Sequence, residues 1–163
     1  RTILVKLLEE NRRIINYHLI KIGENKISYS HIVAYAIVKA LRKYPDLNNS
    51  FHFENDKPQL IDREYINLGI AVDMIKKDGS RSLIVPNIKK ASKKNFFEFR
   101  AAYDELVNKA RTGRIEPDDF QGTTISLTNP GGIGTVTSIP RLMVGQGCIL
   151  AIGAIDYLSL IHI

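Results

Sequence analysis

The chain has 163 residues, 44% hydrophobic and 25% charged, with one Cys and no Trp; this excludes an internal disulfide framework and a cysteine-rich zinc cluster and fits one globular domain in a reducing, cytoplasmic setting. Lys and Arg number 23 against 17 Asp and Glu, a net charge of +6 that suits a polyanionic ligand but identifies none. No run of about 18 apolar residues occurs and the N-terminus carries no signal-peptide core, so no membrane insertion is predicted.

Residues 5–19 place Leu7, Leu8, Ile14, Ile15 and Leu19 at three- and four-residue spacings among charges, which predicts an amphipathic helix stopped at Gly23. Ser30 is set to cap a second helix, in which Ile32, Val33, Ala36, Ile37, Ala40 and Leu41 recur at helical spacing until Pro45. Residues 51–61 carry an Asn55-Asp56 turn between short extended stretches and predict a hairpin. Residues 67–75 and 82–88 are apolar, β-branched runs joined through Asp78-Gly79 and predict two strands. Phe97, Ala101, Leu106 and Ala110 mark a further helix over 96–110, ended by Gly113. Residues 123–128 and 148–155 read as strands joined by a Gly- and Pro-rich loop, 129–147. Two helices, strands, a helix and more strands, without regular alternation, predict an α+β fold with a mixed sheet.

The usual marks of metal and nucleophile chemistry are thin. His18, His31, His52 and His162 are far apart and form no HExxH pair, so no metal site is predicted. His31, in the first turn of the second helix, reads as exposed, with a structural or solvent role. Cys148 lies in an apolar strand and reads as a buried, unreactive thiol. Pro130-Gly131-Gly132-Ile133-Gly134 follows a strand as a phosphate-binding loop would, but no helix opens after it and no P-loop lysine follows, which leaves a tight turn or a close backbone approach. Lys89, Lys90, Lys93 and Lys94 have no interleaved aromatics and read as a solvated face, so no nucleic-acid partner is predicted.

Five segments carry more. ISYSHIVAYAIVKALRKYPDLNNSF (27–51), INLGIAVDM (66–74), SLIVPNIKKA (82–91), TTISLTNPGGIGT (123–135) and GQGCILAIGAI (145–155), in this order, resemble the catalytic domain of the dihydrolipoyl acyltransferases of 2-oxoacid dehydrogenase complexes. The wording SLTNPGGIGTVTSIPRLMVGQG (126–147) is most similar to the version fused into multifunctional 2-oxoglutarate decarboxylase/dehydrogenase proteins. The resemblance implies an α+β fold like that of chloramphenicol acetyltransferase, a mixed sheet covered by helices, over residues 1–157, with the C-terminal part of the domain missing. Residues 158–163 (LSLIHI) read as a non-native tail.

The implied reaction moves an acyl group, succinyl in the 2-oxoglutarate branch, between a lipoyl thioester and coenzyme A. Implied partners are a lipoyl domain, a 2-oxoglutarate decarboxylase/dehydrogenase component and further copies of the chain in a homo-oligomer; thiamine diphosphate and Mg²⁺ enter only with a fused portion outside this chain. Such a reaction needs a base for the thiol proton and a donor for the tetrahedral oxyanion. Thr128, just before the glycine turn, matches the family's donor position, although a threonine at a strand end also serves the strand itself. Asn129 turns toward the same cleft or merely starts the turn with Pro130. Lys39, Asn48 and Ser50 match part of the coenzyme A side of the cleft, and Asp73, closing the AVD pattern, lines the pocket or anchors a basic neighbour. The family's base is the histidine of an HxxxDG motif, which does not occur here; His162 is not followed by Asp-Gly. Two readings stay open: a base outside this chain, or an inactive scaffold or coenzyme A-sensing domain.

Overall fold

The computed structural model describes residues 3–75 and 78–156; Lys76 and Lys77 of the predicted turn, and residues 157–163 with the suspected tail and His162, lie outside the described residues. Among the described residues three α-helices are formed, α1 (Lys6–Lys21), α2 (Tyr29–Leu41) and α3 (Phe96–Arg111). They combine with eight short strands: β1 (Ser50–Glu54), β2 (Lys57–Ile61), β3 (Leu68–Ile70), β4 (Val72–Ile75), β5 (Arg81–Ile84), β6 (Asn87–Ile88), β7 (Ile125–Thr128) and β8 (Cys148–Ala151).

The central sheet runs β6-β3-β7-β8, with β6 antiparallel to β3 and with β3, β7 and β8 parallel. It is mixed, as expected. One face carries Leu68, Ile70, Ile125 and Leu127, which join Ala34, Val38, Phe99, Leu106 and Ala110 of the helices in one buried cluster. α3 packs on β6 and β4, and α2 packs on α3. Across that helix pair Tyr35 meets Phe96 and Phe99 at ring separations of 5.2 and 5.4 Å, a geometry that adds to simple area burial.

The 67–75 run is two strands, not one. Ala71 N–H still donates to Leu127 O at 2.9 Å, after which β4 leaves the sheet to pair with β5 in its own hairpin. On the returning side Pro86 has no N–H to offer the ladder and separates β5 from β6, while its carbonyl accepts from Ile70 N at 2.8 Å. The β1–β2 hairpin forms as predicted, with Asn55 and Asp56 both left-handed at φ 51° and 60°, the requirement of a two-residue primed turn.

The helices correct three expectations. α2 is capped by Ser28, whose backbone is extended at φ −94°, ψ 167°; Ser30 falls inside the first turn. His31 is buried at 5% exposure rather than exposed, because its Nδ1 accepts the Ser28 N–H at 2.9 Å while Nε2 meets Asp104 Oδ1 of α3 at 2.9 Å. α3 buries Phe99, Leu106 and Ala110, while Phe97 stands 62% exposed. Its start is set by Asn95 and Glu98, which exchange side-chain and backbone hydrogen bonds at 2.9 Å.

α1 joins the body through polar contacts. Buried Asn16 accepts from Ile27 N at 2.7 Å and donates to Ile27 O at 3.1 Å, and the Arg12 guanidinium lies 4.2 Å from the Tyr29 ring centre. Leu19 is buried, whereas Leu7 and Ile14 of the predicted apolar face are exposed. Among the described residues no helix is long and apolar enough to cross a membrane.

Candidate active site

The site grows from β7. Side chains alternate across a strand, so with Ile125 and Leu127 in the helix-side core, Thr124, Ser126 and Thr128 fall on the opposite face. The first two hydroxyls are buried and spent: Thr124 donates to Asn48 Oδ1 at 2.6 Å, and Ser126 donates to Gln146 Oε1 at 2.7 Å. Gly69, the neighbour of Ser126 on β3, must lack a side chain, since a Cβ there would sit 2.9 Å from Ser126 Oγ. Thr128, the third of the row, is half-buried, and among the described residues its hydroxyl has no hydrogen-bond partner. It is not among the buried unsatisfied atoms, so it reaches solvent. A buried hydroxyl is normally paired; an unpaired one at a rigid strand end is available to an incoming group.

The backbone behind Thr128 is held tightly. Thr128 O accepts from Ile152 N at 2.9 Å, Gly131 N donates to Ile152 O at 3.1 Å, and Ala154 N donates to Thr135 O at 2.9 Å. Added Cβ atoms on Gly131 and Gly153 would land on the backbone of Gly153 and Val136, so this glycine loop is a close backbone-to-backbone approach rather than a phosphate cradle. Gly134 closes its turn at φ 85°. Asn129 is exposed and points to the helix side, where Nδ2 donates to Ser30 Oγ at 2.9 Å.

Asn48 and Ser50 are buried on the other flank. Asn48 Nδ2 donates to Tyr65 O at 3.1 Å and its Oδ1 takes the Thr124 hydroxyl, so this side chain is a latch between the β1 approach and β7. Ser50 Oγ accepts from Arg63 Nη2 at 3.3 Å, and the same guanidinium reaches Gly145 O at 3.4 Å. Asn48 and Arg63 line an open cleft of about 310 Å³ together with Leu41, Arg42, Ser92 and Lys93. Lys39 lines neither this cleft nor its neighbour; it is exposed on α2, 5.6 Å from the Tyr35 ring centre. Asp73 pairs with Arg81 across the β4–β5 hairpin, far out on an exposed ladder.

Of the remaining candidates, Cys148 is half-buried on β8 and burial pushes its thiol pKa up, which keeps it protonated and unreactive. The lysine run is a surface one: Lys89 donates to Gln121 O at 2.8 Å, and Lys90 and Lys93 lie 4.9 and 5.5 Å from the Tyr65 ring centre. Among the described residues no group of three metal-ligating side chains occurs.

The Ser28–His31–Asp104 row has the residue types of a hydrolytic triad but not its chemistry. Ser28 Oγ is 2.8 Å from His31 Nδ1, yet that nitrogen already accepts the Ser28 backbone N–H. Nε2 therefore carries the proton and donates to Asp104. Both ring nitrogens are committed, and the row locks the start of α2 onto α3. Arg100 extends the lock, donating to Glu24 Oε2 at 3.1 Å and Asn25 O at 2.9 Å. The sequence placed the cap at Ser30 and gave no sign of the Ser28–His31 pairing, nor of Asp104, 73 residues on from His31.

A family model described as 2-oxoacid dehydrogenases acyltransferase (catalytic domain) matches residues 1–161. The chain is 50% identical over 157 residues to the 2-oxoglutarate dehydrogenase E1/E2 component of Corynebacterium glutamicum, which is 96% of this chain and 13% of that protein. In structure it resembles the dihydrolipoamide acetyltransferase of Azotobacter vinelandii with a TM-score of 0.82 at 26% identity, covering 96% of this chain and 61% of that one. It also resembles the cubic core of a pyruvate dehydrogenase multienzyme complex, with a TM-score of 0.79 at 27% identity, covering 92% and 58%. The chain thus spans about an eighth of that curated relative's length and about three fifths of the solved chains. These likenesses bear out the mixed, helix-covered α+β fold of the acyltransferase cores, and the chain belongs to the family of 2-oxoacid dehydrogenase acyltransferase catalytic domains.

Proposed function

We propose that this chain forms part of an acyltransferase site that passes an acyl group between a lipoyl thioester and coenzyme A, with Thr128 as oxyanion donor. The observation that carries the reading is the open Thr128 hydroxyl, unpaired among the described residues at the end of a row whose other two hydroxyls are buried and satisfied. In the transfer, a base takes the coenzyme A thiol proton, the thiolate sulfur bonds to the thioester carbonyl carbon, and the carbonyl oxygen becomes an oxyanion. The Thr128 O–H donates to that oxygen as its charge develops. Collapse breaks the carbon–sulfur bond to the lipoyl group, whose thiolate takes up a proton. A donor fixed by the sheet needs no reorganisation at that moment, which is why such donors are effective. The base is a residue other than His31, both of whose nitrogens are committed.

The 2-oxoglutarate name of the Corynebacterium relative supports succinyl as the acyl group and a lipoyl domain and a 2-oxoglutarate decarboxylase/dehydrogenase component as partners. The cubic-core neighbour supports assembly with further copies. The basic cleft beside Asn48, with Arg42, Arg63 and Lys93, suits the phosphates of coenzyme A. Thiamine diphosphate and Mg²⁺ enter this reading only with a fused decarboxylase portion outside this chain, which the E1/E2 name of the Corynebacterium relative supports.

The test is acyl transfer from acyl-dihydrolipoamide to coenzyme A by the intact protein, with and without Thr128→Ala. A rate loss of roughly 10²- to 10³-fold is expected. A wild-type protein that binds coenzyme A but transfers nothing would instead establish the scaffold or coenzyme A-sensing reading.

A further inference from the structure

The acyl-transfer reading gives Thr128 a task but does not explain its aim. Nothing among the described residues bonds its hydroxyl, so its direction is set through the backbone. The next residue is held from the other side of the sheet, where Asn129 Nδ2 donates to Ser30 Oγ at 2.9 Å across 99 residues of chain. Ser30 is a fixed acceptor. It sits in the first turn of α2, next to His31, whose ring is clamped between the Ser28 backbone and Asp104 of α3. On α3, the Tyr103 ring lies 4.3 Å from the ring of His31. The acceptor is thereby referenced to both helices of the core.

We infer that Ser30 is a positioning residue for the transfer, holding the Asn129 side chain on the helix side so that the preceding Thr128 hydroxyl stays directed to the opposite side, toward the oxyanion. The inference rests on the acyl-transfer reading of Thr128. The alternation of side chains along extended backbone couples the two directions: a peptide that rotates to release Asn129 also rotates Thr128. The chain just beyond is held on its β8 side by the Gly131 N–H to Ile152 O bond, and the Ser30 contact is its tie to the helix side. Small misplacements of a reacting group cost up to about 10²-fold in rate, while substrate affinity, set elsewhere, is left alone.

The test compares Ser30→Ala and Ser30→Thr in the intact protein, reading kcat, KM for coenzyme A, and amide hydrogen exchange over residues 129–134. Ser30→Ala is expected to lower kcat about tenfold at unchanged KM and to speed exchange in that segment; Ser30→Thr, which keeps the acceptor, is expected to restore both. Wild-type kcat in Ser30→Ala overturns the inference, and so does an equal loss in Ser30→Thr, which would mark a packing role. A wild-type protein without transferase activity defeats the acyl-transfer reading instead. In that case exchange decides for Ser30 as anchor of the corner: unchanged protection in Ser30→Ala overturns it, and faster exchange restored by Ser30→Thr upholds it.

Discussion

Two residues from the resembling segments, Thr128 at the end of β7 and Asp73 within β4, behave in opposite ways. Thr128 closes β7 inside a four-stranded sheet, with Ile152, Gly131 and Asn129 fixing the chain on each side of it, and its hydroxyl is unpaired. Asp73 lies on the two-stranded β4–β5 hairpin, 42% exposed, and its carboxylate is already paired with Arg81. One is a strand end inside the sheet presenting a free group, the other a two-stranded hairpin whose group is spent. Chemistry needs the first arrangement, because preorganisation is useful only where the donor has capacity left.

The sharpest way to break this contrast is to remove the Thr128 hydroxyl while keeping its shape. Thr128→Val is expected to lower acyl transfer by roughly 10²- to 10³-fold, equivalent to about 2.7–4 kcal/mol of barrier, and Thr128→Ser to retain most of the rate. Thermal unfolding of both should stay close to wild type, since the hydroxyl has no partner to lose. A large fall in midpoint for Thr128→Val would show a structural threonine and remove the contrast.

Next in size is the backbone clamp. Gly131→Ala drives a methyl into the Gly153 carbonyl and is expected to cost about 1–3 kcal/mol of stability, as overpacking does. Gly79 on the hairpin has open space around it but a φ of +81°, so Gly79→Ala should cost about 1 kcal/mol through backbone strain alone. Only the first should also reduce transfer activity. Equal losses of activity would mean that the hairpin and the corner are one functional unit.

Asn48→Ala probes the flank of the site. The substitution removes the buried Thr124–Asn48 hydrogen bond and the Asn48 bond to the part-buried Tyr65 carbonyl, while Thr124 Oγ1 keeps the Asn67 N–H at 3.1 Å; about 1 kcal/mol is the usual net cost of such a loss. Urea denaturation would read it. Were Asn48 instead a ligand contact, the loss would fall on KM for coenzyme A at unchanged stability.

How far the sequence reveals this follows from the range of each interaction. The helix periods, the Asn55-Asp56 turn and the strand over 123–128 are local patterns and were legible. What makes Thr128 differ from Thr124 and Ser126 was not, because their partners Asn48 and Gln146 lie 76 and 20 residues away. His31 read as exposed since its spacing says only first turn; Asp104, on another helix, is what buries it. Phe97 and Phe99 are equally apolar, and only the packing of α3 against α2 and the sheet decides that Phe99 goes inside. The strand break at Ala71 escaped a reading of composition, though Pro86 was its visible half.

pH separates the two regions by sign. Burial raises the pKa values of Cys148 on β8 and Tyr103 on α3 above their ordinary 9.0 and 10.0, so the unfolded chain releases those protons first, and the stability these groups give is present below pH 9 and lost as pH climbs through 9 and 10. On the hairpin, hydrogen bonds from the Ser80 hydroxyl and N–H hold Asp78 below its ordinary 3.8. The stability this gives is present above 3.8 and lost as pH falls below it. Cys148→Ala should flatten the alkaline limb near pH 9, and Asp78→Asn should alter the acid limb alone; chemical denaturation across pH would read both. A Cys148→Ala protein with an unchanged alkaline limb would remove the thiol from this account.

The smallest effect is expected at Asp73. An exposed ion pair contributes little because water screens it and two long side chains must be held still. Asp73→Asn should therefore leave the unfolding midpoint and the acyl-transfer rate unchanged, and Arg81→Gln likewise, with the double variant matching either single one. This result would confine the chemistry to the corner after β7. A rise in KM for coenzyme A in Asp73→Asn but not in Arg81→Gln would say the reverse: the carboxylate itself meets substrate, and the Arg81 pair is its resting state.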